Sequence, residues 1–148
     1  MAGQKDFTPD EWMTMRRAMI AAGVVVALAE GGSSGDMLSE MLAITQKVRG
    51  AGLDHPNQLV RELAAMAHFQ SGMRPDMRRG EYEEQALPAM RAAAAMVKAK
   101  APGDLAAYRA FLLDLAETAA SAHKEGGIRV TPAEAAAVAR VKKALGIP

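Results

Sequence analysis

Ala18-Met19-Ile20-Ala21-Ala22-Gly23-Val24-Val25-Val26-Ala27-Leu28-Ala29 is the stretch whose reading decides the fold. It carries no charge and continues a helical pattern that begins at Trp12. Trp12, Met15, Met19, Ala22, Val26 and Ala29 recur at spacings of three and four. Ile20, Val24 and Val25 widen that seam until it closes around the helix. A helix apolar on every side has to be buried on every side. The uncharged run falls short of the roughly 18 apolar residues needed to span a bilayer. It is therefore read as the central helix of a soluble bundle, with no transmembrane segment.

Composition agrees with a helical bundle. The chain has 148 residues, which suits one domain, residues 1–148, with a full core. Half the residues are hydrophobic but only 4% are aromatic, and much of the apolar content is alanine with 11 methionines. Alanine favours helix over strand and lets helices approach closely. The fold class expected is all-α, a single-domain bundle of about six helices.

The flanking segments supply boundaries. Phe7-Thr8-Pro9-Asp10-Glu11 is a helix start: Thr8 as N-cap, Pro9 in the first turn, Glu11 closing a capping box. Glu30-Gly31-Gly32-Ser33-Ser34-Gly35-Asp36 ends the first helix. A second helix is predicted over 36–49, with Met37, Leu38, Met41, Ile44, Thr45 and Val48 inward, stopped by Gly50-Ala51-Gly52. A third starts at Asp54-His55-Pro56, with Leu59, Leu63, Met66 and Ala67 inward. Residues 71–80 read as a surface loop. A fourth helix covers 81–100, kinked or broken at Pro88. A fifth places Leu105, Tyr108, Leu112, Leu115, Ala119 and Ala122 on one face, with Phe111 beside it. Thr131-Pro132-Ala133-Glu134 repeats the start signal, and a sixth helix runs to about Leu145. Helices two, five and six are expected on helix one, with Met19, Val26, Leu112 and Leu115 buried.

Few constellations carry chemistry. Without cysteine, thiol catalysis, disulfides and thiolate metal sites are excluded. The net charge of +1 makes no field for nucleic acid or an anionic membrane. His55, His68 and His123 lie in three segments, with no i, i+4 pair and no Glu-x-x-His element, which disfavours zinc and di-iron sites. No nucleophile elbow or phosphate loop is present. Arg74, Arg78 and Arg79, with Arg91, form a basic patch that reads as a solvated loop. Acidic residues gather around the two glycine turns: Glu30, Asp36 and Glu40 at the first, Glu125 and Glu134 at the second. Oxygen ligands of this kind could hold a divalent cation, although the alternating ligands of an EF-hand loop are missing. Met13 and Met90 are the methionines to examine for exposure.

The C-terminal phrase Glu125-Gly126-Gly127-Ile128-Arg129-Val130-Thr131-Pro132-Ala133-Glu134, ending in Ala144-Leu145-Gly146, resembles the closing phrase of the TerB-like (tellurite-resistance B) helical family. A fainter echo runs from Glu30 to Glu40. The resemblance implies an all-helical fold, a link to stress and tellurite response, and a divalent-cation role for acidic residues. The candidate metal residues it suggests are Glu30, Glu125 and Glu134. The family's Ala-Asp-Gly is replaced here by Ala29-Glu30-Gly31 and Lys124-Glu125-Gly126.

The function expected is a non-enzymatic cytoplasmic interaction or scaffold protein with a protein partner, possible stress linkage through the TerB resemblance, no catalytic residues and no organic cofactor. Homo-oligomerisation is left open, because an apolar helix face can meet a second subunit. One alternative is a small-ligand or enzyme pocket between helices to which Tyr108, His68 and Arg109 contribute. Another is a divalent-cation site at the acidic turns.

Overall fold

A computed structural model describes residues 2–29, 34–65, 79–122 and 132–148, with the side chains of 34–38, 79 and 80 outside the description. Among the described residues there are six α-helices and no strand: α1 (Pro9–Ala29), α2 (Ser34–Asp54), α3 (Gln58–Ala65), α4 (Arg79–Lys100), α5 (Leu105–Ser121) and α6 (Pro132–Ala144). They enclose one continuous apolar core.

The start of α1 forms as its residues dictate. Thr8 Oγ1 accepts the Glu11 N–H at 3.2 Å, and Glu11 Oε1 accepts the Thr8 N–H at 2.8 Å. Phe7, just before the cap, packs against Trp12 with ring centroids 6.1 Å apart and the rings tilted by 44°. This hydrophobic staple fixes the direction in which the chain enters the helix. Lys100 at the end of α4 donates to Glu11 at 2.5 Å and lies over the Phe7 ring. The Lys100 ammonium and the Thr8 N–H hold the Glu11 carboxyl below its ordinary range.

Every residue of α1 from Ala18 to Leu28 is buried. The helix lies mainly between α4 and α5, with α6 and α2 completing its surroundings. The major role of α4 is a correction to the expected neighbours. It arises from Met90, Ala93, Ala94 and Val97, a buried stripe running beyond Pro88. The helix continues through Pro88, which is exposed. Taken whole, α1 is also longer than its uncharged run suggests: by length and composition it could cross a membrane. Inside the bundle, 72% of that apolar window is buried.

The second helix departs most from expectation. It does not stop at Arg49 but continues through Gly50-Ala51-Gly52 to Asp54. Each mid-helix glycine disfavours helix by about 1 kcal/mol relative to alanine, and packing offsets that here. A Cβ on Gly52 would lie 2.9 Å from the Ala65 backbone. Bare backbone at Gly52 is thus what lets α2 and α3 meet. Asn57 then caps α3, its Oδ1 accepting the Val60 N–H at 3.1 Å.

Helix α6 ends in a Schellman motif. The Ile147 N–H bonds to the Lys142 carbonyl and the Gly146 N–H to the Lys143 carbonyl, each at 3.0 Å, with Gly146 at φ 76°.

Both tyrosines are buried in this framework. The Tyr108 hydroxyl donates to the Met15 carbonyl at 2.9 Å, tying α5 to α1. Burial pushes the Tyr82 hydroxyl up to about 12 from its ordinary 10.0, and raises Tyr108 further. The neutral form is favoured in the fold. Its contribution to stability is therefore complete below pH 10 and is lost as pH rises through the folded value, about 12 for Tyr82. In an alkaline titration followed at the tyrosinate absorbance, ionisation should be delayed beyond pH 10 and coincide with loss of helical circular dichroism. A tyrosinate rise centred at pH 10 with the helix signal intact would show that these rings are not buried.

Candidate functional site

The described structure places an open groove between the second half of α2, the α2–α3 turn and α5. It has a volume of about 750 Å³. Ala51, Pro56, Ala107, Ala110 and Phe111 supply its apolar walls, and Gln46, Lys47, Asp54, His55 and Asp114 its polar groups. Lys47 and Asp114 pair across it at 3.1 Å, both about half-exposed. A pair so placed contributes on the order of 0–1 kcal/mol.

His55 is held rigidly at one end. Its Nδ1 accepts the Asn57 N–H at 3.0 Å, its carbonyl accepts from Arg61 at 2.7 Å, and its ring meets Phe111 edge-on at 5.5 Å. With Nδ1 acting as acceptor, the neutral imidazole carries its proton on Nε2. Asn57 also donates to Asp104 Oδ1 at 2.9 Å, fastening this turn to the start of α5.

Beside the groove runs an outward face of α2 that carries two exposed leucines. Leu42 is 56% and Leu53 84% exposed, and with Met13 these are the exposed large hydrophobic residues among those described. Eleven residues of helix bring a side chain back to nearly the same direction, about 16 Å further along. Gln46 and Arg49 lie on the same face, and Gly50, next to it, lines the groove. A Cβ on Gly50 would meet nothing within 4 Å. Asp54 ends α2 with no side-chain hydrogen bond or ion pair among the described residues. An acid at a helix C-terminus opposes the helix dipole, so nothing within the helix calls for it.

The residues singled out from sequence fall elsewhere. Glu30 and Glu125 lie outside the described residues, as do His68, His123, Arg74 and Arg78. Glu134 is fully buried in the first turn of α6, and Glu40 is nearly so in α2. Both engage partners. Among the described residues no group of three or more metal-ligating side chains forms. Tyr108 is committed to the core, and Arg109 lies against Gly146, 3.1 Å from where a Cβ would be. Neither lines the groove. Met90 is buried and Met13 exposed.

Sequence reading missed the groove because it ended α2 at Arg49 and started the third helix at Asp54-His55-Pro56, whereas α2 runs on to Asp54 and α3 begins at Gln58. The available signal was the phase of Leu53, in register with Leu42 three turns earlier.

The fold is thus an all-α bundle with an amphipathic groove on one flank. Compared with known proteins, the chain matches no family model, no curated protein sequence and no solved structure.

Proposed function

We propose that this chain is a non-enzymatic cytoplasmic interaction protein that docks a protein partner on the outward face of α2. The observation that carries this reading is the pair Leu42 and Leu53, exposed on one face of a helix and bordering an apolar groove. Apolar side chains aligned beside a groove with polar edges are the usual setting for helix docking. Chemical crosslinking followed by affinity capture of the tagged protein from its native cells tests it. Leu53→Asp and Leu42→Asp should fold as the parent does and lose the captured partner. Capture unchanged by both substitutions would move the docking surface elsewhere. The TerB-like resemblance would place this interaction in a stress response, which growth of a deletion strain on tellurite would examine.

The volume of the groove also suits a small ligand. A ligand-induced rise in melting temperature that Phe111→Ala removes and Leu53→Asp leaves intact would favour that second reading.

A further inference from the structure

We infer that the groove between α2 and α5 binds a small organic cation, an alkylammonium whose charged head sits at Asp54 and whose carbon body lies along the alanine walls. The inference rests on the small-ligand reading of the groove and names the class of ligand.

The register of the two helices carries it. Lys47 meets Asp114 at 3.1 Å, and Asn57, just past α2, meets Asp104 at 2.9 Å. The two helices therefore run antiparallel along the groove. Lys47 and Asp54 are seven residues apart, which gives them nearly the same direction about 10 Å apart along α2. Ala107 and Asp114 are related in the same way on α5. One end of the groove is thus closed by an ion pair, while at the other end a carboxylate lies at the level of an alanine.

With His55 neutral, the charged groups lining the groove are Lys47, Asp54 and Asp114. Lys47 neutralises Asp114. The charge left over is that of Asp54, which has no ion-pair partner among the described residues. The carbonyls at the C-terminal end of α2 add partial negative charge at the same place. A cation is attracted there. A bare metal ion needs several oxygen ligands, and no group of three metal-ligating side chains forms among the described residues. Between the two ends Ala51, Ala107, Ala110 and Phe111 present carbon, which suits the body of an organic cation. An anionic ligand would meet Asp54 with like charge, and a second ammonium would meet Lys47 at the far end. The class is therefore a monoamine on a short apolar body. Such a ligand also gives a use to a carboxylate that opposes its own helix dipole.

An amide chemical-shift titration of the full chain with hexylamine hydrochloride, at neutral pH and low salt, tests this. Hexan-1-ol and sodium hexanoate are the neutral and anionic probes with the same body. Hexylamine should shift the amides of Gly50, Ala51, Asp54, Ala107 and Ala110 with a dissociation constant of about 10⁻³ M, as befits so few atoms. Hexan-1-ol should bind about fivefold more weakly, the upper end of what an exposed ion pair supplies, and hexanoate more weakly still. Asp54→Asn should bring hexylamine down to the level of hexan-1-ol. That substitution is at an exposed position and relieves the opposition to the helix dipole, so the fold is retained. Glu84→Gln, which removes an exposed carboxylate from α4 outside the groove, should change nothing.

Equal binding of hexylamine and hexan-1-ol in the groove overturns the inference and leaves the small-ligand reading standing. So does tighter binding of hexanoate, which would make Lys47 the anchor, or hexylamine binding that Asp54→Asn leaves unchanged. If none of the three probes shifts the groove amides, both readings fall.

Discussion

Leu115→Ala is expected to lower the free energy of unfolding by ~2–5 kcal/mol, measured by urea denaturation. Leu115 is fully buried on the inner face of α5, between Leu112 and Ala119. The removed methyl and methylene groups lose their transfer free energy, and a cavity adds to the cost. The surroundings are poor at closing such a cavity. Ala119, one turn on in α5, is small and buried, and α1, on which α5 packs, brings further small side chains such as Ala18 and Ala22 to the same core, none of which can swing far into a space. Backbone motion would have to fill it, and the Tyr108 to Met15 bond restrains that motion. The upper half of the range is therefore expected. A change under about 0.5 kcal/mol, typical of surface sites, would remove Leu115 from the core and with it the placement of α5.

Gly52→Ala should destabilise the fold by ~1–3 kcal/mol through overpacking. Gly50→Ala, two residues away in the same helix, should stabilise it by ~0.5–1 kcal/mol. Helix propensity favours alanine at both sites, so the difference in sign comes from their neighbours. At Gly52 the added methyl would press on the Cα and N of Ala65, both 2.9 Å away, and backbone cannot turn aside as a side chain can. At Gly50 the methyl enters open space. Urea midpoints measured on dilute protein report the folded chain without the contribution of any self-association. If both substitutions shift the midpoint the same way, the close approach of α2 and α3 at Gly52 is wrong.

Local chemistry was legible without coordinates. The capping box Thr8-Pro9-Asp10-Glu11, the uncharged run from Ala18 to Ala29 and the three-four alternation of α5 all appear in the structure as read. Capping and amphipathic periodicity act over one to four residues, so their causes lie next to one another in the chain. The expectation for Gly50-Ala51-Gly52 failed for the opposite reason. Two glycines within three residues ordinarily end a helix, and the contact that outweighs them is with Ala65, thirteen positions beyond Gly52.

The sequence by itself determined that this chain is helical, that α1 is its buried centre, and where α1 and α5 begin. Those outcomes follow from alanine content, capping chemistry and the width of an apolar stripe. Only the tertiary structure decided that α4 shares the flanking of α1 with α5, that α2 runs on to Asp54, and that Leu42 and Leu53 face outward beside a groove. Each of these depends on which surfaces meet. An apolar residue at helical spacing reads the same whether its face meets the core of its own chain or lies open, and it is the packing of α3 and α5 on the inner side of α2 that left Leu42 and Leu53 on the outer one.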